Sequence, residues 1–287
     1  MFREYMQALI KRVDTRKLMQ FKPPSLPQRI YTKTITVDNA HYGKYCNEVE
    51  WPASERMHPL YLQMLSLPLQ MQCLLDKQSP FPLLGLIHSG NKVSVLLTCD
   101  LSEPFECRVR FYDVNPHNRG WEVEVQLEAY QSGQLVYKAV SSYLVKVKAV
   151  HVAPRALHSE IDGPCDSEEK LSIGELTMPS ETGRRYAALS GDYNPIHLAT
   201  FTAKLFGFKK PIAHGMYTLA RAISAYAATQ DNPNALQINN VDCRFKRPVF
   251  LPNTVSIQQH CETDSNVKID VTNTQGSVTH LQIAMSF

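Results

Sequence analysis

The sequence predicts an α+β fold of two tandem units, each a helix laid against an antiparallel sheet. Three observations carry that prediction. First, Met57-His58-Pro59-Leu60-Tyr61-Leu62 is echoed by Ala213-His214-Gly215-Met216-Tyr217-Thr218. Second, each of these segments opens an apolar run of helical character, followed by four segments rich in β-branched residues and divided by turn formers. Third, 287 residues, 44% apolar and 20% charged, suffice for two globular domains with buried cores.

Residues 1–30 carry seven Lys/Arg against Glu4 and Asp14, more than the whole net charge of +3, so the remainder is slightly acidic. Met6, Leu9, Ile10 and Val13 give this segment an amphipathic pattern. We expect a basic helix or arm lying on the first domain rather than an organelle transit peptide, in which acids are scarce and Ser abundant. The first domain, 31–150, should hold a helical run to about Leu75, kinked or interrupted at Pro68 because proline lacks an N–H and crowds the preceding turn. Strands are expected over 84–98, 105–113, 121–130 and 135–148, the last two joined at Ser132-Gly133. His151, Pro154, Gly163 and Pro164 mark 151–171 as a polar linker.

In the second domain, 172–287, Ser180 reads as the N-cap of a helix over 181–189. A turn follows, then a helix over 198–206 that Gly207 can stop. The next helix runs from about Gly215 to Ala228, with Met216, Leu219, Ala220, Ile223 and Ala227 on one buried face. Strands are expected over 236–249, 254–262, 266–273 and 278–286.

The chemistry concentrates in Ser190-Gly191-Asp192-Tyr193-Asn194-Pro195-Ile196-His197. A carboxylate and an imidazole stand five residues apart on a turn shaped by Gly191 and Pro195. Asp192 alone could be a cap or turn residue; its joint spacing with Gly191, Asn194, Pro195 and His197 favours a site. Asp192 can accept a proton or anchor a water, and His197 can hold the same water and pass a proton. The first N–H groups of a helix have no intrahelical partner and lie at the positive end of its dipole, which makes Gly215 a candidate oxyanion donor. Its missing Cβ leaves the backbone open to a ligand. Such a set can move water across a double bond beside a thioester carbonyl. His214, beside a helix start, reads first as a structural group. A metal site from Asp192, His197 and His214 has suitable ligand types but no recognisable spacing, so no metal is expected.

Residues 186–197, with Ala213-His214-Gly215-Met216 behind them, resemble the signature of the MaoC-like dehydratases, the R-specific enoyl-CoA hydratase or hydratase 2 family. The resemblance is close over about 176–250. It implies a hot-dog fold, here a tandem double hot dog, with Asp192 and His197 as the catalytic pair and the Gly215 amide as donor to the thioester oxygen. It also implies (R) stereochemistry, and a substrate that brings coenzyme A or phosphopantetheine with it, no separate cofactor being needed. Ser190, Asn194, Tyr193 and His214 are candidate substrate contacts.

The first half lacks this machinery. Too few residues separate Tyr45 from His58 to hold a Ser190–Phe208 insertion. Pro59 stands where Gly215 does and has no N–H to donate. That half is expected to be catalytically silent, to shape the acyl pocket and to supply a sheet partner. Lys209, Lys210, Arg244, Lys246 and Arg247 would suit coenzyme A phosphates or the acidic surface of an acyl carrier protein. Solvated strand and helix ends are the plainer account of any one of them. Arg244 and Lys246, two apart on an expected strand, share a face, with Phe245 pointing the other way.

Other classes fit less well. The basic excess is local and without aromatic-rich motifs, so no nucleic acid is expected. No apolar run reaches membrane-span length and no signal-peptide pattern is present. The seven cysteines are odd in number and form no CxxC, as in a reducing, cytoplasmic compartment. No GxGxxG follows an expected strand. A hot-dog acyl-thioester hydrolase and a non-catalytic acyl-binding subunit are the alternatives; monomer and homodimer both stay open.

Overall fold

The computed structural model describes residues 15–147 and 170–287, apart from 21, 54, 84, 261, 262 and 264. The expected N-terminal helix before residue 15 and nearly all of the expected linker lie outside the described residues. The short 3-10 turn Thr15–Met19 does pack on the first half: Leu18 is buried and its carbonyl accepts the Trp121 indole N–H at 2.7 Å.

The first half comprises β1 (Tyr31–Ile35), α1 (Asn39–Val49), α2 (Tyr61–Leu65), α3 (Leu67–Leu74), β2 (Ile87–Val95), β3 (Phe105–His117), β4 (Gly120–Gln131) and β5 (Gln134–Lys146). The second comprises β6 (Leu171–Met178), α4 (Thr182–Ser190), the 3-10 turn Pro195–His197, α5 (Thr200–Leu205), α6 (Gly215–Ala228), β7 (Asn240–Phe245), β8 (Asn253–His260), β9 (Asn266–Asn273) and β10 (Thr279–Ser286). The ten strands of the described residues form one sheet in the order β1-β3-β4-β5-β2-β7-β10-β9-β8-β6. Read from the middle outwards, the two halves have the same order. The antiparallel β2–β7 pair, with Asn91 opposite Cys243, joins them.

Alternation sets the strands. In β3, Phe105, Cys107 and Val109 are buried while Glu106 and Arg108 face solvent, the period-two signature of a sheet packed on one side. α6 is buried around most of its circumference, with Leu219, Ala220, Ala222, Ile223, Tyr226 and Ala227 in the core. Its alanines let the sheet close on it. Among the described residues no helix is long and apolar enough to cross a membrane.

The interruption expected at Pro68 is found, while other expectations need correction. The first helical run is two helices, with Ser66 between them and Pro68 in the first turn of α3, where a missing N–H does no harm. β1, α1 and β6 were not anticipated. Ser180 does not cap α4: the helix starts one residue later behind Glu181, no side-chain cap bond is made there, and Ser180 Oγ instead bonds Glu181. The expected helix over 198–206 is the shorter α5, and Gly207 follows it with φ of 83°.

Candidate active site

α4 ends at Gly191, whose φ of 75° is the left-handed conformation that costs glycine little. The turn beyond is built by its own polar groups. Ser190 Oγ donates to the Tyr186 carbonyl at 2.7 Å and accepts the Asp192 N–H at 3.2 Å. Asp192 Oδ1 accepts the Asn194 N–H at 3.2 Å, and Asn194 Oδ1 the Ile196 N–H at 3.4 Å. The Ser190 hydroxyl and Asn194 carbonyl oxygen, read as substrate contacts, are therefore engaged in shaping the loop. Asp192 combines both of its readings. Oδ1 closes the turn, while Oδ2 lies 3.9 Å from His214 Nε2, with 28% of the side chain open to solvent.

Ile212 fixes His197. Its N–H bonds the Ile196 carbonyl at 3.1 Å and its carbonyl faces His197 Nδ1 at 2.8 Å. Nδ1 therefore carries the proton of the neutral ring, and Nε2 is the acceptor. Burial, and then the neighbouring His214, hold the His197 pKa down at about 3 although Asp192 pulls the other way. His197 is thus neutral and weakly basic at physiological pH.

His214 is a latch. Its Nε2 donates to the Asp192 backbone carbonyl at 3.0 Å, tying the start of α6 to the turn, and its ring stacks on His197 with centroids 3.7 Å apart. Burial lowers its pKa as well. Asp192, His197 and His214 bring one ligand-type atom each within 4.8 Å of one another, although the three have no recognisable metal-ligand spacing in the sequence.

Gly215 is the first residue of α6, so no carbonyl one turn back can take its N–H. The space of its absent Cβ has another occupant than expected: a Cβ there would stand 2.7 Å from the Phe245 ring. Glycine seats Phe245 against the helix start. Phe245 in turn touches the first half, where His88 of β2 lies against it with centroids 4.9 Å apart and stacks at 4.9 Å on Tyr143 of β5. Asp192 lies close enough for its charge to act on both His88 and Tyr143. Nothing in the sequence reading found these two. Their proximity to Asp192 comes from the β2–β7 seam, which leaves no local pattern.

In the first half, His58 occupies the place of His214 but faces α6. Its Nδ1 accepts the Leu60 N–H at 3.1 Å and its Nε2 lies 3.4 Å from the Ala220 carbonyl. Burial lowers its pKa to about 3. The remaining expected contacts are dispersed. Tyr193 is 41% exposed. Lys209 stands over the Phe250 ring at 5.1 Å, and Lys210 is exposed. Lys246 and Arg247 line a shallow depression with Ser277, Thr279 and Gln282, whose walls include neither Lys209 nor Arg244. Because β7 ends at Phe245, Lys246 lies beyond the strand and does not share a sheet face with Arg244.

Residues 158–282 match the MaoC like domain. This chain carries a MaoC-like dehydratase domain. The 3-hydroxyacyl-thioester dehydratase X of Mycobacterium tuberculosis is 28% identical over 235 residues, 81% of this chain and 80% of that protein. The crystal structure of HtdX from M. tuberculosis superposes with a TM-score of 0.73 at 24% identity, over 90% of this chain and 99% of that one. A conserved M. tuberculosis protein described as a double hot-dog fold matches with a TM-score of 0.58 at 11% identity, over 90% and 94% of the two chains. The MaoC-like domain thus forms the half of a double hot dog that carries Asp192, His197 and Gly215, and the half that carries Pro59 completes the sheet.

Proposed function

We propose that this chain is a hydro-lyase that reversibly hydrates trans-2-enoyl thioesters and dehydrates (3R)-3-hydroxyacyl thioesters. The observation that carries it is the convergence of the Asp192 carboxylate, the neutral His197 ring and the first N–H of α6 through the His214 latch. Asp192 and His197 hold one water, His197 accepting from it through Nε2. As the water oxygen bonds C3, Asp192 takes its proton and the π electrons move towards the thioester oxygen, where the Gly215 N–H meets the charge. Asp192 then returns the proton to C2. One proton is taken and one delivered, and dehydration is the reverse. The (R) hand is inherited from the family resemblance. Coenzyme A or a phosphopantetheine carrier enters as part of the substrate, and the scheme uses no metal or redox group. Exposed lysines at 209, 210 and 246 suit the carrier's phosphates, the cytoplasm is the proposed compartment, and monomer or homodimer are both compatible with a sheet completed within one chain.

Loss of enoyl absorbance with trans-2-enoyl-CoA esters of several lengths tests this. Asp192→Asn is expected to lower turnover by about 10² or more, a typical loss for a positioned acid–base group. Release of free thiol without loss of the enoyl band would indicate a thioester hydrolase. Inactivity with both coenzyme A and carrier-protein esters would leave an acyl-binding subunit.

A further inference from the structure

A row of buried polar side chains runs from the site into the first half, where an acyl pocket would call for apolar walls. Ser66 Oγ donates to the Gln63 carbonyl at 2.8 Å, so it can only accept from Gln70 Nε2, 2.7 Å away. Gln70 Oε1 is thereby turned towards Ser141 Oγ, at 3.3 Å, and takes its proton. Gln63 Nε2 at 2.7 Å and Asn91 Nδ2 at 2.9 Å must then both donate to Ser141. This leaves Gln63 Oε1 and Asn91 Oδ1 buried with no donor. The row is continuous with the site: Tyr143 bonds Gln70 Oε1 at 3.5 Å and carries the stacked His88 ring beside Phe245. The buried Nε2 of His88 has no hydrogen-bond partner.

Three buried atoms of this row thus lack partners: two are amide oxygens, which only accept, and His88 Nε2 accepts in the tautomer that carries its proton on Nδ1. Buried acceptors without donors are unfavourable, and a plain alkyl tail would leave every one unsatisfied. We propose that the first half selects acyl chains bearing a hydrogen-bond donor, a hydroxyl or an amide N–H, beyond the reacting carbons. His88 Nε2 receives it nearest the reaction, and Asn91 and Gln63 further in. This rests on the hydro-lyase reading, in which Gly215 holds C1, Asp192 serves C3, and the chain continues past His88.

The test compares trans-2-enoyl-CoA esters with ω-hydroxy counterparts of equal length, over a series of lengths, on the wild-type protein. At one length or more the hydroxy ester should be preferred in kcat/KM by about tenfold or more, since a site built to bond a hydroxyl rejects its absence. His88→Phe keeps an aromatic ring against Tyr143 and Phe245 but removes the acceptor, and Asn91→Leu removes another. In at least one of them the preference should fall towards unity, a ratio that a general loss of folded protein does not move. Plain esters turned over as well as hydroxy esters at every length would overturn the selection and leave the hydro-lyase reading standing. No turnover of either kind would overturn both.

Discussion

Gly183 shows how the site depends on an absent atom. A Cβ there would collide with the His197 carbonyl, so α4 can lie against the Pro195–His197 turn only with glycine at this position. Gly183→Ala should push His197 off the Ile212 carbonyl, lower turnover by about tenfold or more and cost about 1–3 kcal/mol of stability, as overpacking does. Turnover measured beside the urea midpoint checks this; full activity in a folded variant would mean that the contact does not position His197. Asp192 and His197 were legible because their residue types and spacing are local. Gly183 was not, since its neighbour is fourteen positions away and the sequence marks it only as one more helical residue.

At the scale of elements, α1 and α4 are counterparts. Each ends in a left-handed residue, Glu50 with φ of 54° and Gly191 with φ of 75°. After Glu50 the chain goes almost directly to His58, whereas after Gly191 it makes the whole Asp192–His197 turn and α5 before His214. The first half therefore lacks an acid–base pair as well as a donor. Pro59→Gly restores the N–H but should create no second site: in an Asp192→Asn background, enoyl turnover is expected to stay at the level of Asp192→Asn alone. A rise of tenfold would show that the missing donor alone silences that half. The helix break at Pro68 was legible, because proline acts locally. β1 was not: Tyr31–Ile35 is a short edge strand with its three central residues exposed, so it has little of the alternation that marks a half-buried strand.

Across the whole molecule, the buried histidines link stability to pH. Burial holds His58 and His197 near 3 and His88 near 4, and lowers His214 too. All are neutral when folded, while in the unfolded chain each regains a pKa of about 6.5. Below that value unfolding takes up protons, so stability falls as pH drops from about 6.5 towards the folded values and changes little above it on their account. Urea midpoints at about pH 7.5 and about pH 5 should show the acid sample weaker; a higher acid midpoint would contradict the buried neutral rings. The ion pair of Arg185 with Glu48 at 2.9 Å and the contact of Arg221 with Glu50 also cross between halves, each with one partner open to solvent, which screens the attraction.

By itself the sequence determined the tandem plan, the candidate Asp192–His197 turn and the absence of a matching N–H donor at Pro59. Each follows from neighbours along the chain: helical and strand periodicity, a carboxylate and imidazole on one turn, and a proline that has no proton to donate. The tertiary structure alone decided that Phe245 fills the space beside Gly215, that His214 latches the turn, and that His88 and Tyr143 of the other half stand near Asp192. Those relations arise where β2 pairs with β7, and pairing between strands far apart in sequence is set by burial and register, not by any short pattern.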